Sequence, residues 1–222
     1  MIELFWVGGP FFMVPLLVGS VLVVTIAIER FLRFRRAEVD YDRFLSEMGT
    51  TVESGGIQAG IELADATPGP IARAWSAGLG NHRLPLPILR EKMDSVSIAE
   101  IQRLERFLPL VSVIAQVSPL IGILGTVWGM IGSFEGVAGG LSSGSGVDGE
   151  LLASSIGQAL VTTALGLAVA IPATLLHHWF SHRVDGFIDN LERSRSDLIE
   201  ILTHIAGRKK AAPVAQMPEK QL

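Results

Sequence analysis

Two runs of this chain carry hydroxyls, glycines and a single amide among aliphatic neighbours. In the first, Pro119, Gly122, Thr126, Gly129 and Ser133 recur at steps of three, four, three and four. On a helix, that spacing draws one narrow stripe of small or hydroxyl-bearing residues along one face. In the second, Ser155, Gln158, Ala159, Thr162, Thr163, Gly166 and Ala170 fall within a sector of about 140° at about 100° per residue. Leu160, Val161, Ala164, Leu165, Leu167, Ala168, Ile171 and Leu175 take the other side, and Val169 alone intrudes on the polar sector. Two chemistries fit such faces. Small residues let membrane helices approach closely, with Ser and Thr bonding the carbonyl one turn back. Alternatively the hydroxyls of Thr126, Thr162 and Thr163, with the amide of Gln158, line a partly hydrated path that carries no fixed charge. Gln158 weighs toward the second reading, because a buried amide is costly unless something answers it.

Other candidate chemistry fails on inspection. His178 and His182 are four residues apart beside His177, but no carboxylate follows until Asp185, so interfacial histidines are expected and no metal site. Gly139 to Gly149 is a Gly/Ser loop without the lysine and hydroxyl residue of a phosphate loop. There is no cysteine, which excludes disulfides and thiol catalysis. With no triad and no carboxylate pair, the chain is expected to be no enzyme and to use no cofactor. A dispersed net charge of -4 argues against nucleic-acid binding.

The elements that must position these faces are membrane spans. The mean hydropathy of +0.44 is high for a soluble domain. Residues 107–134 and 151–176 contain no charge, and neither does the stretch from Leu4 to Ile28, which Gly8-Gly9-Pro10 interrupts. The second and third spans reach about 39–42 Å as helices, more than the roughly 30 Å of hydrocarbon. Glu3 without a neighbouring Lys or Arg argues against a cleavable signal peptide. All 18 basic residues lie between the first two spans or after the third. Basic loops stay in the cytoplasm, so the N-terminus is expected outside and the C-terminus inside.

The expected fold is an all-α membrane protein with three transmembrane helices, two of them long and extended into a cytoplasmic helical body. Residues 1–9 form an outer interfacial lead and 10–30 the first span, ending on a possible Glu29–Arg33 pair at the inner surface. Residues 31–106 form a cytoplasmic insert with helices at 38–54, 57–65 and 70–80 and turns at Gly55-Gly56, Thr67–Pro70 and Asn81–Pro87. A helix from Ile88 should run unbroken into span two (107–135). The insert is short of buried aliphatics for an independent domain and is expected to pack on the inner ends of the spans. A periplasmic loop (136–150), span three (151–178), an amphipathic cytoplasmic helix (179–206) and a disordered tail (207–222) complete the chain.

Two motifs on successive spans resemble the MotA/TolQ/ExbB proton-channel family. The first runs from Ser118-Pro119-Leu120-Ile121-Gly122 through Gly125-Thr126-Val127-Trp128-Gly129-Met130 to Ser133-Phe134. The second runs from Gln158-Ala159-Leu160-Val161-Thr162-Thr163 through Gly166-Leu167 to Ala170-Ile171-Pro172-Ala173. Three spans and the Glu29-Arg30 end of span one are similar to the ExbB-like and TolQ-like branch, over residues 1–205. The resemblance implies a homo-oligomeric ring, a pentamer, around a single-span ExbD/TolR-like subunit whose membrane aspartate carries the proton. Proton motive force then drives a TonB-like or TolA-like envelope protein from the bacterial inner membrane, in support of transport across the outer membrane or of envelope maintenance. Thr126 and Thr163 correspond to the family's path-facing threonines. Gln158 stands where ExbB and TolQ members have a glutamate. Helix packing is assigned to Pro119, Gly122, Gly125, Gly129, Gly166 and Pro172, with ring subunits meeting along these small-residue faces. A non-conducting scaffold is the alternative. A secondary transporter is disfavoured, because no acid or base lies in the uncharged intramembrane stretches of the spans and no inverted repeat of broken helices is visible.

Overall fold

The computed structural model describes residues 9–142 and 149–211. Among them every regular element is a helix: α1 (Pro10–Ala37), α2 (Tyr41–Ala66), α3 (Pro70–Gly80), α4 (Leu86–Glu105), α5 (Leu108–Ser142) and α6 (Gly149–Ala211). Three helices are long and apolar enough to cross a membrane. The chain divides into two compact units, one of residues 1–32 and 105–183, the other of residues 33–104 and 184–222.

In the first unit α1 starts where Gly9, at φ 78°, turns the chain and Pro10 takes the first helical position. Pro10 has no N–H to satisfy there, and the amides of Phe12 and Met13 close on the Gly9 carbonyl at 3.2 and 3.1 Å. Val23 and Ile26 of α1, Val111 and Ala115 of α5, and Ala173 of α6 form one buried cluster. Arg30 is fully buried and pairs with Glu29 at 2.7 Å, its guanidinium 5.5 Å from the Phe107 ring centre.

The expected unbroken helix from Ile88 into span two is not observed. The backbone breaks at Phe107, whose φ is 72°. Pro109 is the physical cause. It has no N–H to offer the carbonyl of Glu105, and in an unbroken helix its ring would clash with that carbonyl. The loop expected over 136–150 is also shorter, since α5 stays helical to Ser142 and α6 begins at Gly149. Without a proline, its glycines weaken the helix and do not end it. The remaining loop residues, 143–148, lie outside the described residues, as do 1–8 of the lead and 212–222 of the tail. Residues 179–206 are not a separate helix. They continue span three in one helix of 63 residues, about 95 Å long, and helix persists into the expected tail as far as Ala211.

The core of the second unit is shared between the insert and the α6 continuation of span three. Trp75, Met48, Leu79, Met93 and Leu198 are essentially inaccessible, and Phe44 meets Trp75 edge-on at 5.6 Å. Aromatic and methionine side chains fill this core, and Leu191 and Leu198 of α6 complete it. A count of insert aliphatics misses both. The approach is tight: a Cβ on Gly78 would lie 2.3 Å from Leu198 Cδ2. Each buried side chain of this size contributes about 1.5–3 kcal/mol. The turn expected at Gly55-Gly56 is a kink within α2, with Gly56 at φ 78°. Asp40 caps α2 by accepting from the Arg43 amide at 3.2 Å. The Tyr41 hydroxyl donates to Asp197, and burial followed by that carboxylate pushes its pKa up from the usual range.

Candidate functional site: the α5–α6 seam

The two motif runs meet face to face within the first unit. A Cβ built on Gly122 would lie 2.9 Å from Thr163 Cα, and one on Gly125 only 2.5 Å from Thr162 Cγ2. On Gly129 it would reach Ala159 Cβ at 3.0 Å, and on Gly166 the carbonyl oxygen of Ser118 at 2.6 Å. These glycines bring α5 against α6 at a separation no side chain permits. The expectation that small-residue faces join neighbouring subunits is therefore corrected: they are consumed inside one chain. Pro119 sits beside the seam, half-buried. Pro172, also expected to pack, is exposed on α6.

The hydroxyls divide into two groups. The Thr163 hydroxyl crosses the seam and donates to the Gly122 carbonyl at 2.9 Å. The others bond within their own helix: Thr126 to the Ile123 carbonyl at 2.7 Å, Thr162 to that of Gln158 at 3.0 Å, Ser118 to that of Ile114 and Ser133 to that of Gly129. Thr162, expected to line a path, is 1% exposed, with its methyl turned into the Gly125 contact. It belongs to the packing. Thr126, Thr163 and Gln158 remain half-buried, and the Gln158 amide makes no hydrogen bond among the described residues. Gly9 lies under that amide, where a Cβ would sit 3.0 Å from Nε2.

A hydroxyl that donates to a backbone carbonyl keeps lone pairs, so Thr126 and Thr163 can still accept a proton-bearing group from outside. An apolar cavity of about 210 Å³ opens beside Thr126, between Met130, Phe134, Ile156 and Leu160. Sequence reasoning missed the burial of Ser118 and Ser133. The spacing that put Ser133 on the stripe was the available signal. It also missed Arg30, for which a charge at a helix end gives no signal of burial. His178 and His182 are exposed on α6, and no group of three potential metal ligands occurs among the described residues.

The surfaces facing away from the seam are apolar. Leu120, Trp128 and Phe134 on α5, and Leu160, Ile171 and Leu175 on α6, are each more than half exposed. Such area has no place in water. Compared with known families, residues 67–193 match the MotA/TolQ/ExbB proton channel family, more than half of the chain. The chain belongs to that family. No curated protein matches it. The family match takes in the whole seam but neither α1 nor α2, so it is narrower than the resemblance over 1–205. Family membership and three apolar helices make the chain a multi-pass membrane protein of a proton-channel family, and that family is not one of enzymes.

Proposed function

We propose that this chain is the channel-forming subunit of a stator-type complex in a bacterial inner membrane, which converts proton motive force into movement of a partner. The observation that carries the reading is the pairing of the charge-free stretches of α5 and α6. It is locked by glycines, offers Thr126, Thr163 and Gln158 at half-buried positions, and contains no acid or base between 107 and 134 or between 151 and 176. A proton carrier must then come from another chain, an ExbD/TolR-like single-span subunit with a membrane Asp. Burying such an acid is tolerable only beside polar groups. Several copies of this chain, in the family's pentameric arrangement, cover the exposed apolar faces of α5 and α6. Family membership supports delivery of work to a TonB-like or TolA-like envelope protein. A non-conducting scaffold is the second reading, favoured by one observation: the seam hydroxyls already bond backbone carbonyls.

The distribution of Lys and Arg supports an orientation with the N-terminus outside, residues 31–106 inside and 136–150 outside. Because the chain has no cysteine, single substitutions report this in whole cells. Ser143→Cys is expected to react with an impermeant thiol reagent, and Ser54→Cys, exposed on α2, only after lysis. Labelling of position 54 in intact cells without position 143 would reverse the orientation.

A further inference from the structure

A second polar site lies in the other unit, away from the seam. A cavity of about 420 Å³ is lined by Arg33 and Arg36 at the end of α1, Arg73 of α3 and Arg103 of α4, with Gly69 at its wall. Glu100 is the one acid in the lining. It accepts from Arg73 at 2.8 Å and from Arg103 at 2.5 Å, its side chain 11% exposed while those of the two arginines stay more than half exposed. Arg33 donates to the Arg103 carbonyl at 3.2 Å, so its guanidinium is fixed at the site. Among the lining residues, four guanidinium groups share the concavity with one carboxylate.

The backbone adds to this field. Gly69 is the N-cap of α3, an eleven-residue helix, and it offers no side chain to the first amides. Its φ of 119° and the 2.9 Å from its would-be Cβ to the Ala37 carbonyl oxygen keep any side chain out of that corner. The positive end of the helix dipole thus adds to the arginine charge. Ion pairing to Glu100 explains Arg73 and Arg103, and Arg36 converges on the same cavity.

We infer that this cavity binds a phosphate group, with Arg36, Arg73 and Arg103 as its charged donors, Glu100 holding the guanidinium groups of Arg73 and Arg103 in place, and Arg33 anchored to the Arg103 backbone at the wall. Planar guanidinium forks match phosphate oxygens, and basic pockets close to membrane-spanning helices take anionic lipid headgroups. Arg33 and Arg36 follow the apolar stretch ending at Ile28 by five and eight residues in the same helix. A phospholipid headgroup and a free phosphate share this chemistry, and the experiment separates them.

The full chain, purified in neutral detergent, would be titrated with short-chain phosphatidylglycerol, short-chain phosphatidylcholine and inorganic phosphate, with binding read by native mass spectrometry and thermal shift. Arg36→Gln, which removes a side chain on the cavity wall, and Arg73→Gln are expected to weaken phosphatidylglycerol binding about tenfold each, the worth of one charge-assisted contact. Arg35→Gln, on the same turn but outside the cavity lining, should change it less than about twofold. Binding of phosphatidylglycerol alone assigns a lipid headgroup; competition by millimolar phosphate assigns a free phosphate site. Equal binding of phosphatidylglycerol and phosphatidylcholine, or equal losses in Arg35→Gln and Arg36→Gln, overturns the inference.

Discussion

Gly166→Ala is expected to lower the thermal midpoint of the purified protein by about 2–12 °C, whereas Gly132→Ala and Gly157→Ala should leave it unchanged or slightly raised. Two effects compete at a helical glycine. Alanine improves an exposed helical glycine by about 1 kcal/mol. At Gly132 and Gly157 nothing lies within 4 Å of the added methyl, so that gain stands. At Gly166 the methyl would sit 2.6 Å from the Ser118 carbonyl oxygen and 3.2 Å from Gly122 Cα. Both atoms are backbone and can yield only by displacing α5. Overpacking of this kind costs about 1–3 kcal/mol, and each kcal/mol moves the midpoint of a chain this size by about 2–4 °C. Gly122→Ala meets Thr163 Cα and should behave like Gly166→Ala. Gly129→Ala meets a side-chain methyl at 3.0 Å and should be milder. Gly166→Leu is expected to give no folded protein. Equal midpoints for Gly166→Ala and Gly132→Ala would show that the seam does not hold the unit together.

Thr126→Val and Thr163→Val should each cut potential-driven proton flux through the assembled complex at least about tenfold, while Thr162→Val should not. Valine keeps the shape and removes the hydroxyl. Thr126 bonds its own helix, so its loss should leave the thermal midpoint within about 2 °C, as a bond worth well under 1 kcal/mol implies. Thr163 bonds across the seam to Gly122, so its variant should also lose about 0.6–2 kcal/mol of stability. Thr162 is sealed against Gly125 and has no open face from which to meet an ion. Flux measured beside thermal midpoints for the three variants separates path from packing. Wild-type flux in both Thr126→Val and Thr163→Val would favour the scaffold.

The small-residue stripes were legible from their spacing, because helical periodicity places Gly122, Gly129 and Ser133 on one face whatever that face meets. Which partner they meet was not legible. Periodicity fixes the face of one helix, and only three-dimensional packing shows that α6 of the same chain occupies it. The separation of Thr162 from Thr163 has the same origin. Adjacent residues lie about 100° apart, enough to send one into the seam and leave the other at its edge. The break at Phe107 was half-legible: Pro109 announced it, but the apolar run on both sides argued for continuity. The core around Trp75 escaped because its two α6 leucines, Leu191 and Leu198, lie about 120 residues further along the chain.

In the proposed complex this chain shapes a proton path but does not carry the proton. Residues 107–134 and 151–176 contain nothing that titrates near neutral pH, and Gln158 stays neutral while it donates and accepts hydrogen bonds. The direct measurement is proton uptake into liposomes, read by an enclosed pH dye under an imposed potassium diffusion potential. The purified chain alone should be nearly as tight as protein-free vesicles, and flux should appear with the partner subunit and vanish when the partner's membrane Asp is replaced by Asn. Robust flux through this chain alone, or through the complex without that acid, would contradict the account.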